Sequence, residues 1–360
     1  MWSPKGESLS ELVTTIVDPD PASLAGTAEQ FLIELGGPTE ILVTGRDRSR
    51  WRVLIVLMHG NEPSGPIAAW RWLRSGARPA VDISIFVLAV DAATEPPGFA
   101  HRMLPGKRDL NRCFVPPFDD DNGKLAREVL RRIRRRPCEA LIDIHNNTGL
   151  NPAYGIINRP GLDRLKLVEL FTNSCCILSD LNIGALTEVI VDDISSVAIE
   201  CGHSRDPAAH DVALAGIERF VNTQDLELDT ELNRDISLFD HPIRVRLRNG
   251  LTVRFSDQPD PTYDLTLRAD IDNHNFHTLD PGTVLGWIQP GCAWPLVALG
   301  ADQKDVSHLH FAISDDKLIF TTDRVPVMMT TDPIVARQDC LCYLMHVHDW
   351  LADLTGPDTP

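Results

Sequence analysis

The spacing of apolar residues divides the chain into two regions. From about residue 40 to residue 225, short runs rich in Val, Ile and Leu alternate with segments of helical periodicity. The predicted strands are Glu40–Val43, Arg52–Met58, Ile83–Val90, Ala140–Ile144 and Val197–Ile199. The predicted helices are Pro66–Arg74, Lys124–Arg136, Asp163–Asn173 and Ala208–Val221. Because nearly continuous apolar strands are typical of strands buried on both faces, the pattern predicts an α/β fold with a mixed, largely parallel sheet flanked by helices.

Beyond residue 225 the helical periodicity gives way to short strands. Ile243–Leu247 and Leu251–Phe255 alternate polar and apolar residues around Arg248-Asn249-Gly250, which predicts a hairpin. Further strands are predicted at Tyr263–Ala269, Val284–Ile288, Leu309–Ile313 and Lys317–Phe320. We therefore predict an α/β domain over residues 1–225 and a smaller, mostly β C-terminal domain over residues 226–360.

Composition and charge narrow the classes of partner. The 360 residues carry a formal net charge of −17, which makes nucleic acid and anionic membrane surfaces poor partners. The basic run at residues 131–136 has the spacing of a solvated helix face. No apolar run approaches the roughly 20 residues of a membrane helix, and Met1–Ser10 lacks the plan of a signal peptide. The expectation is a cytoplasmic protein, and a homo-oligomer is compatible with the sequence.

Eight cysteines are spread along the chain. Because no signal peptide is predicted, their even number does not indicate disulfide bonds. Cys340-Leu341-Cys342 precedes His346 and His348, a combination that includes metal-ligand residue types. Its spacing matches none of the usual zinc patterns. A buried strand or helix face explains the segment equally well.

Catalytic residue types follow three of the predicted strands. Arg52–Met58 leads into His59-Gly60-Asn61-Glu62, Ala140–Ile144 leads into His145, and Val197–Ile199 leads into Glu200. In open α/β sheets, ligands bind outside the carboxyl ends of the strands. If the three strands are parallel neighbours, these side chains meet at one edge of the sheet.

Two histidines and one glutamate form a known catalytic zinc set with water in the fourth position. Such a metal lowers the pKa of its water and polarises a scissile carbonyl. A carboxylate that does not bind the metal must then carry the proton of the water to the leaving amine, and Glu200 is the candidate. Separately, the histidines could be hydrogen-bonded core residues and Glu200 a salt-bridged strand end. Their joint position after apolar strands favours the metal interpretation.

The loop segment Asp109-Leu110-Asn111-Arg112 is the other candidate for substrate binding. An arginine beside an asparagine can clamp a carboxylate and stabilise an oxyanion. An exposed loop with a surface arginine is the alternative explanation.

Four motifs together resemble the succinylglutamate desuccinylase/aspartoacylase family, which belongs to the zinc carboxypeptidase-like group. Their order and spacing match over roughly residues 40–205, and they are His59-Gly60-Asn61-Glu62, Arg108-Asp109-Leu110-Asn111-Arg112-Cys113-Phe114, Asp143-Ile144-His145-Asn146 and Ile199-Glu200-Cys201-Gly202. A stretch at residues 275–282 is similar to part of the family's C-terminal β domain. The resemblance implies a mixed sheet flanked by helices, followed by a β domain that narrows access to the site.

The resemblance also assigns roles to particular residues. It implies one zinc ion per chain on His59, Glu62 and His145, with Glu200 as general base and acid. It implies substrate contacts for Asn111 and Arg112 and suggests further ones for Arg102, Arg108 and Asn146. Asp143 lies two residues before His145 on the same strand face, where a carboxylate can orient a ligand.

Departures from the family pattern bear on the substrate. Members acting on N-acetylaspartate have an arginine about ten residues before the catalytic glutamate, where this chain has Ile190. Their tyrosine-rich late stretch corresponds here to Ser314-Asp315-Asp316-Lys317, and their Asn-Pro after the fourth strand to Asp91-Ala92. These differences argue against N-acetylaspartate and N-succinylglutamate as substrates.

The sequence therefore predicts a zinc-dependent hydrolase that cleaves the amide bond of a small N-acylated amino acid or related amine. Two alternatives remain open at this point. One is a metallocarboxypeptidase that trims short peptides, and the other is a catalytically silent binding protein with the same pocket.

Overall fold

A computed structural model of the chain describes residues 12–226, 236–300 and 302–348. The described residues form two compact units. The first takes its residues from Met1–Asn146, Ala153–Asn173 and Asn182–Asp235, and the second from Asn147–Pro152, Ser174–Leu181 and Ile236–Pro360. Residues 1–10, for which no signal peptide is predicted, lie outside the described residues. The predicted boundary between residues 225 and 226 adjoins the segment 227–235, also outside them, and stays a prediction.

The strands and helices are numbered in chain order. The strands are β1 Thr14–Val17, β2 Thr39–Val43, β3 Asp47–Val56, β4 Val81–Val87, β5 Ala140–Asn147, β6 Tyr154–Ile157, β7 Cys175–Leu178, β8 Ser196–His203, β9 Ser237–Leu247, β10 Val253–Phe255, β11 Leu265–Leu267, β12 Val284–Ile288, β13 Leu296–Leu299, β14 Phe311–Ser314, β15 Lys317–Phe320, β16 Val325–Val327 and β17 Cys342–His348. The α-helices are α1 Ala28–Leu35, α2 Ser64–Ser75, α3 Val90–Thr94, α4 Asp121–Ile133, α5 Leu162–Glu169, α6 Leu186–Ile190, α7 Pro207–Asn222, α8 Ser307–His310 and α9 Pro333–Gln338.

The sheet of the first unit is mixed and mostly parallel around its centre. Its strand order is β1-β2-β4-β3-β5-β8-β6. β3 runs parallel to both β4 and β5, whereas β2 is antiparallel to β4 and β6 is antiparallel to β8. Helix α2 packs on α7 and β3, and α5, α6 and α7 contact β8. The predicted fold class, a mixed sheet flanked by helices with a separate smaller sheet, is confirmed.

Burial explains why the central strands are apolar on both faces. Val53, Leu54, Ile55 and Val56 of β3 are all completely buried. Each such side chain contributes roughly 1.5–3 kcal/mol relative to an exposed one. The strand ends at Val56 rather than at the predicted Met58, because Leu57 has a φ of 69° and turns the chain out of the extended conformation.

Helix α4 corrects the prediction that the basic run is a solvated helix face. The helix begins after Asp120, whose carboxylate accepts a hydrogen bond of 2.7 Å from the backbone N–H of Gly123, and it ends at Ile133. Arg132 is buried, and its guanidinium pairs with the buried carboxylates of Glu40 and Glu128 at 3.0 and 2.8 Å. The arginine run therefore helps to attach α4 to the sheet.

The second unit contains two sheets. In one, β9 pairs with β7, β17 and β13, and β17 also pairs with β16. The other has the order β10-β11-β12-β15-β14. The predicted hairpin of Ile243–Leu247 and Leu251–Phe255 is wrong: Leu247 lies opposite Leu296 of β13, while β10 pairs with β11 in parallel. Side chains from both sheets share one apolar core.

In the part of the chain that the structure describes, no helix has the length and apolar character needed to cross a bilayer.

Candidate active site

Three strands of the first unit bring the predicted metal ligands and Glu200 to one part of the sheet. His59 and Glu62 follow the end of β3, whereas His145 belongs to β5 and Glu200 to β8. β3 and β5 are parallel, with Val56 opposite Ile144, and β8 is the next strand in the sheet. The site is therefore built on buried central strands rather than on a long loop.

The segment between β3 and Glu62 is tightly held. Leu57 is fully buried in the left-handed region, a conformation that costs a non-glycine residue about 1–3 kcal/mol. A Cβ atom on Gly60 would lie 2.6 Å from backbone atoms of Ala92 and Ala93, so only glycine fits there. The Gly60 N–H donates to the carbonyl of Arg102 at 2.9 Å. These constraints fix the direction in which His59 leaves the strand.

The side chains of His59, Glu62 and His145 converge in a buried cluster. The Nδ1 atoms of His59 and His145 each lie 2.8 Å from a different oxygen of the Glu62 carboxylate. One ligand atom from each residue falls within 4.8 Å of the other two, and the three residues are 3–4% exposed. Two imidazoles and a carboxylate suit a borderline-soft divalent cation such as zinc, so the residues present fit the metal that the sequence implies.

A second carboxylate lies beside the Nε2 atom of each imidazole, the ring nitrogen that does not face Glu62. Nε2 of His59 lies 3.0 Å from Oδ1 of Asp109. Nε2 of His145 lies 3.0 Å from Oδ2 of Asp143, an ion-pair distance without hydrogen-bond alignment. A carboxylate at one ring nitrogen fixes the ring and leaves the other nitrogen for a metal. The arrangement fits the predicted orienting role of Asp143, and Asp109 takes the matching place beside His59.

The histidines also control the charge of Glu62. Burial opposes ionisation of its carboxyl group, but the facing His59 and His145 imidazoles outweigh burial and lower the pKa of Glu62 well below its usual range. Glu62 is therefore an anion at neutral pH, as a metal ligand must be.

Glu200 has the opposite environment. It is 6% exposed, and its Oε2 atom has no hydrogen-bond partner among the described residues. Burial raises the pKa of Glu200 to about 7, against the opposing influence of the His145 imidazole. A carboxyl group with a pKa near neutrality can both accept and release a proton, which is the property required of a general base that becomes a general acid.

The buried carboxyl group makes a prediction about the stability of the metal-free protein. Free glutamic acid has a pKa of about 4.3, so the folded state holds this proton more tightly than the unfolded state, and Glu200 lowers the free energy of unfolding as pH rises from about 4 to about 7. Glu200→Gln removes this loss. In urea unfolding with a chelator present, the stability of the variant relative to the wild type should rise between about pH 4 and about pH 7 and stay constant above that range. A difference between the two proteins that is independent of pH would contradict this.

Arg102 lies beside the ligand cluster. Its Nε and Nη2 atoms donate to Oδ2 of Asp109 at 3.1 and 2.9 Å, and its Nη1 donates to Oε1 of Glu62 at 3.3 Å. Its side chain is 31% exposed. Arg102 thus places a guanidinium at the site, linked to the same aspartate that orients His59.

Asn111 and Arg112 occupy a short 3-10 helix, Leu110–Arg112. The N–H of Asn111 donates to Asp109 at 2.9 Å, and its side-chain oxygen accepts from the N–H of Leu186 at 3.1 Å, at the start of α6. Nη1 of Arg112 donates to the carbonyl oxygen of Asn111 at 2.9 Å. Asp109 therefore connects the Asn-Arg pair to His59.

Two other predicted substrate residues have protein partners. Oδ1 of Asn146 accepts from the N–H of Ser64 at 2.9 Å, and its Nδ2 donates to the carbonyl of Gly202 at 3.0 Å. The guanidinium of Arg108 pairs with Asp120 and donates to the carbonyl of Pro117 at 2.9 Å. Asn146 links the start of α2 to β8, and Arg108 holds the loop before α4.

Asp109 was part of a predicted motif but was given no role of its own. Its position two residues before Asn111 was visible in the sequence. Its contacts with His59 and Arg102, residues 50 and 7 positions away, depend on the fold.

Removing the carboxylate charge beside His145 should weaken metal binding. We expect Asp143→Asn to raise the zinc dissociation constant by about 10–100-fold, because the neutral amide holds the imidazole less firmly and makes it less basic. Competition with a chromophoric chelator measures the change. Asp211→Asn, at a side chain that is 78% exposed, is the matched control. Equal zinc affinity in both variants would contradict an orienting role.

The fold is similar to those of several solved structures. A succinylglutamate desuccinylase/aspartoacylase from Rhodobacter sphaeroides matches with 15% identity and a TM-score of 0.56, covering 86% of this chain and 88% of that chain. Murine aminoacylase 3 matches with 19% identity and a TM-score of 0.51, covering 84% and 96%. A succinylglutamate desuccinylase from Vibrio cholerae matches with 14% identity and a TM-score of 0.52, covering 82% and 99%.

No protein-family model and no curated protein sequence matches the chain. The likeness therefore lies in three-dimensional structure, over most of the length of each chain. The resemblance predicted from the four motifs is confirmed at the level of the fold, and the chain has the fold of the succinylglutamate desuccinylase/aspartoacylase structures.

Proposed function

We propose that this chain is a zinc-dependent amidohydrolase that removes a short acyl group from an amino acid or a related amine. The observation that carries the proposal is the buried Glu200 carboxyl group, raised in pKa, beside a buried group of two histidines and one glutamate. His59, Glu62 and His145 would hold one zinc ion per chain. When bound there, zinc would polarise the scissile carbonyl and lower the pKa of water.

Glu200 carries the proton through the reaction. Its carboxylate takes a proton from the attacking water while the water oxygen forms a bond to the carbonyl carbon. The protonated carboxyl group then gives that proton to the amide nitrogen as the carbon–nitrogen bond breaks. The products are a carboxylic acid and a free amine. A pKa of about 7 suits both transfers near neutral pH.

Arginines of the same unit provide the positive charge that an anionic substrate needs. The net charge of −17 repels anions as a whole, so specific guanidinium groups must bind the substrate. We assign Arg102, which reaches Glu62, to the developing negative charge on the carbonyl oxygen. We assign Arg112 and Asn111 to a carboxylate or acyl end. We assign positioning roles to Arg108, which pairs with Asp120 in the loop before α4, and to Asn146, which links Ser64 to Gly202.

The site differs from the family pattern in a residue that is expected to contact the amine part of the substrate. Ile190, which stands where family members acting on N-acetylaspartate have an arginine, is completely buried at the end of α6. An apolar buried side chain cannot clamp a carboxylate. We therefore expect a substrate whose amine part differs from aspartate and glutamate.

The reaction class is tested by measuring the release of primary amine from a panel of N-acetyl, N-formyl and N-succinyl amino acids and short peptides. We expect zinc-loaded protein to hydrolyse one or more acyl amino acids, and protein treated with a chelator to hydrolyse none. Cleavage confined to peptides would replace the proposal with a metallocarboxypeptidase. No turnover from protein that holds zinc would favour a silent binding protein.

A further inference from the structure

A second cluster of metal-ligand residues lies in the second unit, on the ladder formed by β9 and β17. These strands are antiparallel, with Asp240 opposite His346 and Leu238 opposite His348. Because alternate residues of a strand share a face, Asp240, His346 and His348 all lie on the same face. His241 follows Asp240 directly in sequence, with a φ of 51°. We call Asp240, His241, His346 and His348 the Asp240 cluster.

The imidazoles surround one carboxylate. Nδ1 of His348 contacts Oδ2 of Asp240, and Nδ1 of His346 lies 3.5 Å from Oδ1. Nε2 of His241 lies 3.8 Å from Oδ2 of Asp240. The other ring nitrogen of His241, Nδ1, lies 3.5 Å from a carboxylate oxygen of Asp180. Ligand atoms of a tetrahedral zinc site lie about 3.3 Å apart. The ligand atoms of the Asp240 cluster are less closely gathered than those of His59, Glu62 and His145, which lie within 4.8 Å of one another, so the imidazoles must turn toward the carboxylate to share a cation.

The Asp240 carboxylate is buried, and among the described residues it is paired with histidines. Asp240 is 4% exposed, and its Oδ1 atom has no hydrogen-bond partner in the described chain. Within residues 12–226, 236–300 and 302–348, its ion pairs are with histidines and include no lysine or arginine. A buried carboxylate needs compensating charge. A divalent cation bound between the carboxylate and the imidazoles would supply it.

We propose that the Asp240 cluster is a second transition-metal site, specific for zinc-like cations that prefer imidazole ligands. Asp240, His346 and His348 are the ligands, and His241 completes the set. A bound cation would take the place of the direct contact between His348 and Asp240. The side chains of His346 and His241 are 59% and 73% exposed, so they can turn toward the metal without disturbing the core. Asp180 lies where it can orient His241, as Asp109 orients His59.

The cysteines that precede these histidines are not part of the site. Cys340 and Cys342 are buried, and burial raises the pKa of Cys340 to about 12, which keeps its sulfur in the poorly ligating thiol form. Cys342 lies opposite Val245 on β9, away from Asp240 in the register. Strand register thus separates the histidines from the cysteines in a segment where the sequence placed them together.

Zinc stoichiometry tests the second site without any measurement of activity. We expect the full chain to bind two zinc ions and the variant His59→Ala/His145→Ala to bind one. The variant His346→Gln/His348→Gln should also bind one, and the fourfold variant none. Equilibrium dialysis followed by elemental analysis gives these numbers. Zinc should also raise the melting temperature of His59→Ala/His145→Ala, because it binds the folded state.

The controls separate this proposal from the hydrolase proposal. His308→Gln, at an exposed histidine of the same unit, should keep two zinc ions. The single variant His346→Gln changes a mostly exposed side chain and checks that loss of metal does not reflect misfolding, with circular dichroism as the measure of folding. A folded His59→Ala/His145→Ala protein that binds no zinc would overturn the second site. So would two zinc ions retained by His346→Gln/His348→Gln.

Discussion

Replacing Glu200 by glutamine should lower the turnover number for amide hydrolysis by about 10²–10⁴-fold, the usual contribution of a positioned general base. Glutamine keeps the size of the side chain but can neither take the proton of the water nor return it to the amine. Zinc content should stay unchanged, because Glu200 is distinct from the three ligands. Initial rates at saturating substrate, with zinc measured in the same samples, test this result.

The matched control is Glu218→Gln, at an exposed glutamate of α7. It should retain wild-type turnover and zinc. If Glu200→Gln keeps full turnover while the protein stays folded, Glu200 is not the proton carrier. A binding protein with the same pocket would lose nothing measurable in either variant.

Replacing His145 by alanine should abolish turnover and remove the zinc of the first site. The substitution deletes one of three ligands and leaves Asp143, which is 1% exposed, without the imidazole it faces. The substitution should also lower stability, by about 1–3 kcal/mol, because a buried carboxylate loses the imidazole that lies 3.0 Å from it. Zinc analysis, turnover and thermal unfolding together measure the three effects.

His308→Ala serves as the control for a histidine outside the first site and should change none of the three. Circular dichroism establishes that His145→Ala is folded at the temperature of the assay. Full turnover by folded His145→Ala would contradict the assignment of this residue as a ligand.

The sequence predicted that His59 and His145 lie close together because each follows a recognisable apolar strand. Val53–Val56 and Ala140–Ile144 are buried on both faces, a condition that produces continuous apolar runs. Where such strands are parallel, the residues after them meet at one edge, and β3 and β5 are parallel neighbours. Local patterns thus carried enough information to place His59 and His145 together.

Pairings between distant segments could not be predicted in the same way. The turn signal around Gly250 is present, and that glycine has a φ of 86°, but β9 pairs with β13 rather than with β10. Arg108 pairs with Asp120, the residue that caps α4, and the motif around Arg108 does not reveal this contact. The strand that pairs with β9 and the carboxylate that pairs with Arg108 both depend on the packing of the whole unit. The periodicity of a short segment does not predict such packing.

The central claim is that the buried group of His59, Glu62 and His145 holds the metal of an amide hydrolase. The most direct measurement compares the rate of amine release from one N-acyl amino acid by zinc-loaded protein, chelator-stripped protein and stripped protein with zinc restored. We predict turnover in the first, none in the second and recovery in the third, with His346→Gln/His348→Gln behaving like the wild type. Equal rates in the loaded and stripped samples would contradict the claim.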